Sequence, residues 1–475
     1  MNLLSLQYAA YVLVTAGLFH LCPGKLRPLL LGLASLLLYG FYSPVSAAIL
    51  LVASTGAFWG ARALDANSAR RVGRRMLIAT IVVALISYLL LIKLLSAMHE
   101  RGRTLPLSHF LLALGVSYYT FKLIGYVIDV YWRKYPAWSD PIKFVAFATF
   151  FPQLAAGPIQ RANQFQFPED GAKTAALMRS GLRRILLGVV KKTVIADQLG
   201  GMVAFIDGLQ PQYSNMNWIA ASLYALQIYF DFSALTDIAI GTAAIFGIES
   251  PENFANPFFA PSISQFWRRW HMTLTFWLTD YVFTPLRMAT RDLGKSSLVL
   301  SITASMVLIG LWHGLGIGFL LFGLIHSVYL VADALTASAR RHFYRKHPLV
   351  GELMSAIGPF FVFAMVAFAL IFFRAESLPD ISYQIRHLGS GLRSPLASLQ
   401  TFFYGMGRFR CGLVLLAVLA MALWEYLQTA NWAIAERWPR FSDLPWPIRW
   451  ATYYAGIAIA ATLHQQSVHF IYVQF

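Results

Sequence analysis

Charged residues are scarce in this chain of 475 residues. Asp, Glu, Lys and Arg together make up 12% of it, whereas soluble globular proteins contain about 25%. Hydrophobic residues make up 58%, so a soluble fold could not cover its surface with polar side chains. The same composition excludes intrinsic disorder, which requires low hydrophobicity. The sequence therefore predicts an all-α polytopic membrane protein.

Cysteine and several catalytic motifs are also missing or rare. Two cysteines, Cys22 and Cys411, cannot form a disulfide framework or a paired-cysteine zinc site. Neither a Gly-x-Ser-x-Gly elbow nor a His-Glu-x-x-His metal motif occurs, and no glycine-rich phosphate loop is present. We therefore expect no bound metal and no tightly held cofactor.

Basic residues outnumber acidic ones, 38 to 21, which gives a formal net charge of +17. In a soluble chain this excess would indicate nucleic acid as a partner, but in a membrane protein it collects in cytoplasmic loops that face anionic headgroups. We therefore expect the protein to have a lipid bilayer as its surroundings and no nucleic acid as a partner. In the loops between the early spans, Lys and Arg are more numerous in every second loop. By the positive-inside rule those loops are cytoplasmic, which predicts a cytoplasmic (inner) membrane protein with an extracytoplasmic N-terminus.

Apolar segments predict eleven spans within an expected total of about 11–13. They are 4–22, 28–42, 45–62, 76–97, 106–131, 216–247, 297–313, 315–336, 355–373, 411–430 and 447–464.

Four other segments are interpreted differently. Residues 142–168 are too short and too interrupted by Pro and Gly to span, so they are predicted to be re-entrant. Residues 177–199 carry five basic side chains and are predicted to form an interfacial helix on the cytoplasmic side. Residues 262–287 form a polar-studded helical piece, and 379–408 the largest extramembrane loop. We predict one membrane domain over 1–475, with N-terminal spans in 1–135, a catalytic core in 136–335 and C-terminal spans in 336–475.

The densest polar stretch of the chain runs from Gln227 to Asp237. Helical spacing places Gln227 and Asp231 on one face, with Ser233 and Asp237 displaced from it. The two carboxylates cannot both face lipid, because a charge there is costly unless it is paired. The stretch is either a packing network between helices or one wall of a polar tunnel.

A second polar group lies in Gln265-Phe-Trp-Arg-Arg-Trp-His271. Its arginines, Arg268 and Arg269, could form an interfacial anchor with the neighbouring tryptophans. They could equally pair with Asp231 or Asp237. His271 alone is a weak signal.

A third feature is Gly310-Leu-Trp-His-Gly-Leu-Gly316, in which His313 follows Trp312 and closes an otherwise apolar span. A lone membrane histidine is often a helix-packing group. Glycines on both sides of His313 favour a functional role over helix packing, because they let another chain or a ligand approach the backbone closely. A neutral imidazole, with a pKa near 6.5, is suited to act as general base toward a hydroxyl and then as general acid toward a leaving group.

Taken together, these segments resemble the membrane-bound O-acyltransferase family, and within it the bacterial branch that acts in alginate O-acetylation and teichoic acid D-alanylation. The resemblance covers most of the chain. It rests on 115–129, Phe150–Arg161, Lys191–Asp197, Gln227–Ser233, Asn253-Phe-x-x-Pro257, Phe266–His271, Trp312–Gly314, Phe372–Ala375 and Phe470–Phe475.

The resemblance implies which residues act. The family's invariant histidine corresponds to His313 and its second, more variable polar position to His271. It also implies a ring of helices around a central tunnel, where a cytoplasmic acyl donor meets an acceptor from the other side. Thr284–Arg287 and Ser233–Asp237 depart from the family's usual sequences, which leaves the acceptor and the exact branch open.

We therefore expect O-acyl transfer, of acetyl or else D-alanyl, from a thioester to a hydroxyl. The co-substrate would be acetyl-coenzyme A or an acyl or aminoacyl carrier protein. The acceptor would be an envelope polysaccharide, another surface polymer or an extracytoplasmic acyl-accepting partner protein. His313 would be the base, and His271 would orient a substrate; Trp312, Gln227, Ser233, Asp231, Asp237, Arg268 and Arg269 would support the site. A transporter or flippase, or a non-catalytic scaffold for polymer assembly, remains the alternative.

Overall fold

The computed structural model describes residues 3–66, 71–100, 115–168, 172–209, 214–375, 377–429 and 445–463. Within these ranges every regular element is helical, which confirms the all-α prediction. The predicted terminal motif, Phe470–Phe475, and residues 106–114 of the fifth predicted span lie outside the described residues.

The helices are numbered here in chain order. Those of the first half are α1 Leu6–Leu21, α2 Arg27–Tyr42, α3 Pro44–Ala66, α4 Arg71–Glu100, α5 Val116–Tyr131, α6 Pro141–Thr149, α7 Phe151–Leu154, α8 Ala172–Val190, α9 Asp197–Gly208 and α10 Asn217–Ile245. Those of the second half are α11 Ile263–Trp267, α12 Met272–Leu278, α13 Thr284–Ala289, α14 Lys295–His313, α15 Ile317–Lys346, α16 Pro348–Arg374, α17 Leu378–Leu388, α18 Pro395–Met406, α19 Arg408–Thr429 and α20 Trp446–Leu463.

Eight segments in the described part of the chain are long and apolar enough to cross a bilayer, which supports a polytopic membrane protein. They are Gly24–Tyr42, Pro44–Ala66, Val72–Met98, Asn217–Ile245, Lys295–His313, Ile317–Lys346, Pro348–Arg374 and Arg408–Leu427. Helix α1 is apolar but shorter. The segment predicted as the largest extramembrane loop, 379–408, contains the helices α17 and α18, and neither is among the eight candidate spans. Ser377 caps α17 by accepting a hydrogen bond from the Asp380 amide.

The chain forms two compact units. The first comprises Met1–Leu187 and Leu235–Glu252, and the second comprises Gly188–Ala234 and Asn253–Phe475. Both units draw on α10, whose N-terminal part belongs to the second unit and whose C-terminal end belongs to the first.

The first unit contains the segment predicted to be re-entrant. Its backbone forms α6, α7 and a loop that is buried from Phe150 to Gln160. Side chains satisfy backbone groups of this irregular stretch: Lys122 Nζ donates to the Phe147 carbonyl at 2.7 Å, and the Phe151 amide donates to Ser35 Oγ at 3.1 Å. Non-helical backbone is tolerated in a membrane protein when it is packed inside protein in this way.

Arg184 provides the partner of Asp237 in the first unit. Its Nε lies 2.9 Å from Asp237 Oδ1, and its terminal nitrogens bind the carboxylate of Glu252. Of the partners that the sequence left open for Asp237, the structure therefore shows neither Arg268 nor Arg269 but Arg184. Arg268 and Arg269 belong to the second unit, whereas Arg184 lies on α8, next to α10.

The second unit has a buried ionic cluster around Lys192. Its ammonium lies 2.8 Å from Asp197 Oδ1 and 2.7 Å from Asp231 Oδ1, and all three residues are 4% exposed or less. Asp231 thus pairs with Lys192, not with Arg268 or Arg269. Lys191 is buried too, so its assignment with Lys192 to an interfacial surface is wrong. A π-helical turn, Lys191–Ala196, follows α8 and turns these lysines inward.

We expect Lys192→Met to destabilise the protein strongly. The substitution removes the ammonium from two buried carboxylates, and breaking a buried ion pair in this way costs about 3–5 kcal/mol. The matched control is Lys173→Met, because Lys173 pairs with Glu249 at 3.1 Å on an exposed surface, where a pair contributes about 0–1 kcal/mol. Thermal unfolding of both purified variants in detergent checks this. A melting temperature for Lys192→Met no lower than that of the control would contradict it.

Candidate active site

His313 is the last residue of α14, and its position depends on close packing against α15. A Cβ at Gly310 would lie 2.2 Å from the carbonyl oxygen of Phe319, and one at Gly323 would lie 2.5 Å from that of Met306. Only glycine permits these two backbones to approach so closely. The imidazole is therefore held by two helices in direct contact.

Aromatic rings surround the His313 imidazole, which is 4% exposed. Its ring centroid lies 4.7 Å from that of Trp312 and 4.8 Å from that of Phe373 on α16. Phe319 and Phe322 of α15 lie further out, both at 6.3 Å. The predicted base thus occupies a pocket made of α14, α15 and α16, where little water surrounds it.

His271 lies between α11 and α12 and has a left-handed backbone, with φ of 41°. This conformation is uncommon for a residue with a side chain, and such strain concentrates at functional sites. The residue is 1% exposed, and its ring packs 4.8 Å from that of Phe232 on α10.

Asn253 fixes the orientation of the His271 ring. Its fully buried Oδ1 accepts hydrogen bonds from the Thr273 amide at 3.3 Å and from the Thr273 hydroxyl at 2.9 Å. Because an amide N–H can only donate, this Asn253 atom must be the oxygen. His271 Nδ1 lies 2.9 Å from the same oxygen, so Nδ1 carries the proton and Nε2 is the accepting nitrogen.

Burial determines the charge of this ring. His271 lies outside the eight candidate spans, and burial lowers its pKa to about 3, because the charged imidazolium loses its hydration. The ring is therefore neutral at pH 7, with a defined tautomer. This is the state in which an imidazole can accept a hydrogen bond from a hydroxyl through Nε2.

The Trp312 indole brings the two histidines into one cluster. Its centroid lies 5.5 Å from that of His271 and 4.7 Å from that of His313. The structure therefore groups three of the predicted site residues in the second unit: His271, Trp312 and His313.

Most of the other predicted site residues contact neighbouring protein groups and not the histidine cluster. Asp231 pairs with Lys192, Gln227 lies against Gly200 of α9, and the Ser233 hydroxyl donates to the Phe230 carbonyl at 3.4 Å. Arg268 is exposed. The tryptophans beside it are buried in aromatic contacts and not at an interface, so the anchor interpretation is wrong for Trp267 and Trp270.

Two polar residues near the cluster were missed as site residues. In the sequence analysis Asn253 appears only within the motif Asn253-Phe-x-x-Pro257. A polar asparagine beside an aromatic residue and a proline, in an otherwise apolar chain, could have indicated a site residue. Glu425 is a buried carboxylate of α19 that accepts a hydrogen bond from the Tyr229 hydroxyl at 2.6 Å. A single carboxylate in an otherwise apolar span could have indicated that Glu425 is a site residue.

Comparison with known proteins gives consistent matches. A model of the membrane-bound O-acyltransferase family, MBOAT, matches residues 137–373. The chain is 30% identical to the probable alginate O-acetylase AlgI of Pseudomonas aeruginosa over 90% of this chain and 82% of that protein. It is 32% identical to the AlgI protein of Pseudomonas fluorescens over 76% of this chain and 70% of that one.

A further relative transfers a different group. The chain is 33% identical to the teichoic acid D-alanyltransferase of Bacillus subtilis, over 46% of this chain and 58% of that protein. The matched family range includes His271, Trp312 and His313. Named acyltransferases among the relatives support an enzyme over the transporter and the scaffold that the sequence left open.

We expect Asn253→Asp to keep His271 in the Nδ1–H form and to raise its pKa above about 3. The new carboxylate accepts the same hydrogen bond and favours the charged ring, whereas Asn253→Leu removes the acceptor. A pH titration by nitrogen-15 NMR of histidine-labelled protein, with the His271 signal assigned through His271→Gln, checks both changes. The exposed Asn163→Leu is the control, and an unchanged His271 signal in Asn253→Leu would contradict the assignment.

Proposed function

The chain belongs to the membrane-bound O-acyltransferase family, and from that premise we propose that it transfers an acetyl group from a cytoplasmic thioester to a hydroxyl of a cell-envelope polysaccharide or of an acyl-accepting partner. The observation that carries the proposal is the buried cluster of His271, Trp312 and His313. Acetyl is favoured over D-alanyl because the match to an alginate O-acetylase extends over 90% of the chain and the match to a D-alanyltransferase over 46%.

His313 acts as the general base in this proposal. Its imidazole takes the proton of the acceptor hydroxyl while that oxygen attacks the thioester carbonyl carbon. The C–S bond then breaks, the ester remains on the acceptor, and the imidazolium returns the proton to the departing thiolate. General-base assistance of this kind accelerates a reaction by about 10²–10⁴-fold.

His271 orients the acceptor. Because Asn253 holds the Nδ1 proton, Nε2 can receive a hydrogen bond and direct the acceptor hydroxyl toward His313. The Trp312 ring contacts both imidazoles, at centroid distances of 5.5 Å from His271 and 4.7 Å from His313. The remaining acceleration comes from alignment of the two substrates and from exclusion of water that would hydrolyse the thioester.

The two reactants approach from opposite ends of α15. This helix has 30 residues and ends in the basic group Arg340, Arg341, Arg345 and Lys346. The positive-inside rule places that end in the cytoplasm, where acidic donors such as acetyl-coenzyme A or a carrier protein are found. His313 lies at the other end of α15. The N-terminus of the chain is assigned to the outer side on the same charge rule.

His313→Ala should abolish acetyl transfer, with a loss of at least about 10²-fold, while the protein still inserts and folds. Mass spectrometry of envelope glycans from a deletion strain that expresses each variant measures the ester content. The matched control is His347→Ala, because His347 lies exposed between α15 and α16. Normal ester content in the His313→Ala strain would refute the assignment of the base.

A further inference from the structure

Helix α15 also holds the segment that leads to His271. Two of its side chains reach the short helix α11. Asp333 Oδ2 accepts a hydrogen bond from the Ser264 amide at 3.2 Å, and His326 Nδ1 accepts one from the Trp267 indole nitrogen at 3.3 Å. His326 and Asp333 are seven residues apart, which is about two helical turns, so they lie on the same face of α15.

The order of these two contacts gives the direction of α11. Ser264 comes before Trp267 along the chain, whereas its partner Asp333 comes after His326. The two helices therefore run antiparallel where they touch, and the end of α11 points toward the start of α15. The start of α15 is also the part that lines the His313 pocket. The chain thus leaves α11 in the direction of that pocket.

The His326 ring contacts the wall of the same pocket. Phe322, one turn before His326 on α15, has its ring centroid 4.6 Å from that of His326 and 6.3 Å from that of His313. His326 is 1% exposed, so its ring is packed on all sides. A change in the size or position of this ring therefore reaches His313 through a single aromatic neighbour.

A stack of rings links His326 to His271. The Phe266 ring is nearly parallel to that of His326, with an interplanar angle of 5° and a centroid distance of 6.5 Å. It also stacks on Trp270 at 5.4 Å, and Trp270 directly precedes His271. The left-handed backbone of His271 persists only where the surrounding structure holds the segment firmly. The contacts between α11 and α15 contribute to that hold.

The hydrogen bond from Trp267 defines the tautomer of His326. An indole N–H can only donate, so His326 Nδ1 is the accepting nitrogen. The bond is possible only for the neutral ring, whose proton then lies on Nε2. His271 has the opposite tautomer, because its proton lies on Nδ1. The two buried imidazoles can therefore be distinguished by spectroscopy.

We propose that His326 is a positioning residue for acyl transfer. By holding Trp267 of α11 against α15, it sets where His271 lies relative to His313. The inference rests on the proposed acyl transfer, in which the acceptor hydroxyl must meet both of those histidines. A misplacement of about 1 Å can lower a rate by about 10²-fold, so the contact matters for the reaction although His326 acts only through its neighbours.

The first test requires no catalysis. Nitrogen-15 NMR of the histidine-labelled full chain in detergent compares the unsubstituted protein with His326→Leu, His326→Asn and Trp267→Phe. In the unsubstituted protein we expect the Nε2–H tautomer for His326 and the Nδ1–H tautomer for His271. His326→Leu and Trp267→Phe should each shift the His271 signal. His326→Asn should preserve it, because the asparagine oxygen can accept a hydrogen bond near the position of Nδ1.

Ser327→Ala is the matched control. Ser327 is the buried neighbour of His326 in α15, and its hydroxyl lies 2.7 Å from that of Thr303 on α14. The substitution removes a buried hydrogen bond of α15, as His326→Leu does, but not one that holds α11. It should leave the His271 signal unchanged, whatever its effect on the melting temperature.

The second test measures the transfer itself. Membranes from a deletion strain that expresses each variant receive radiolabelled acetyl-coenzyme A, and the initial rate of ester formation on envelope glycans is followed. We expect His326→Leu to lower the maximal rate by about 10- to 10²-fold. The half-saturating concentration of acetyl-coenzyme A should stay unchanged, because His271 orients the acceptor. A double variant with Trp267→Phe should be no slower than His326→Leu, since both changes remove the same hydrogen bond.

Four results would overturn the proposal: a His326 ring that is protonated on Nδ1, a His271 signal unchanged in both His326→Leu and Trp267→Phe, an equal shift of that signal in Ser327→Ala, or a full rate in His326→Leu. Failure of the proposed function is seen separately. The unsubstituted protein would then form no ester, or His313→Ala would form it at the full rate, while the NMR signals still report on the contact.

Discussion

The close contact between α14 and α15 is the constraint on which the site depends. Two helices without large side chains between them have little freedom to slide or to rotate, so the residue at the end of α14 has a fixed place. A Cβ at Gly318, in the first turn of α15, would lie 2.3 Å from the Phe372 carbonyl oxygen of α16, so the imidazole of His313 is positioned by three backbones and not by a flexible loop. Sites built on packed helices hold their reacting groups more precisely than sites built on loops.

Buried charge is the second organising feature. Lys192 binds two carboxylates and Arg184 binds two more, so the acidic residues of α10 are neutralised by α8 and by the π-helical turn that follows it. This pattern agrees with a packing network, which was one of the two interpretations of the Gln227–Asp237 stretch. The proposed chemistry lies instead at the loop that ends in His271 and at the end of α14.

Much of the fold and part of the candidate site could be predicted from the sequence. Hydropathy predicted the helical class and most of the long helices. The isolated Trp312-His313 motif drew attention to His313, and the family resemblance added His271. The partners of the buried groups were not predictable, because they come from distant positions: Lys192 contacts Asp231 and Asn253 contacts His271 only after the helices pack. The helices within the predicted extramembrane loop at 379–408 were not foreseen, although Ser377 followed by Asp380 three positions later is a typical helix start.

The π-helical turn at Lys191–Ala196 has a consequence for how this chain can change over evolutionary time. A π-helical turn commonly corresponds to one residue more than a regular α-helix would hold. Deleting a single residue there would restore the regular ladder, and everything that follows would rotate by about 100° around the helix axis. Asp197 would then point away from Lys192, and Gly200 would leave Gln227. Homologous chains that keep this architecture should therefore tolerate substitutions in the segment far better than changes in its length.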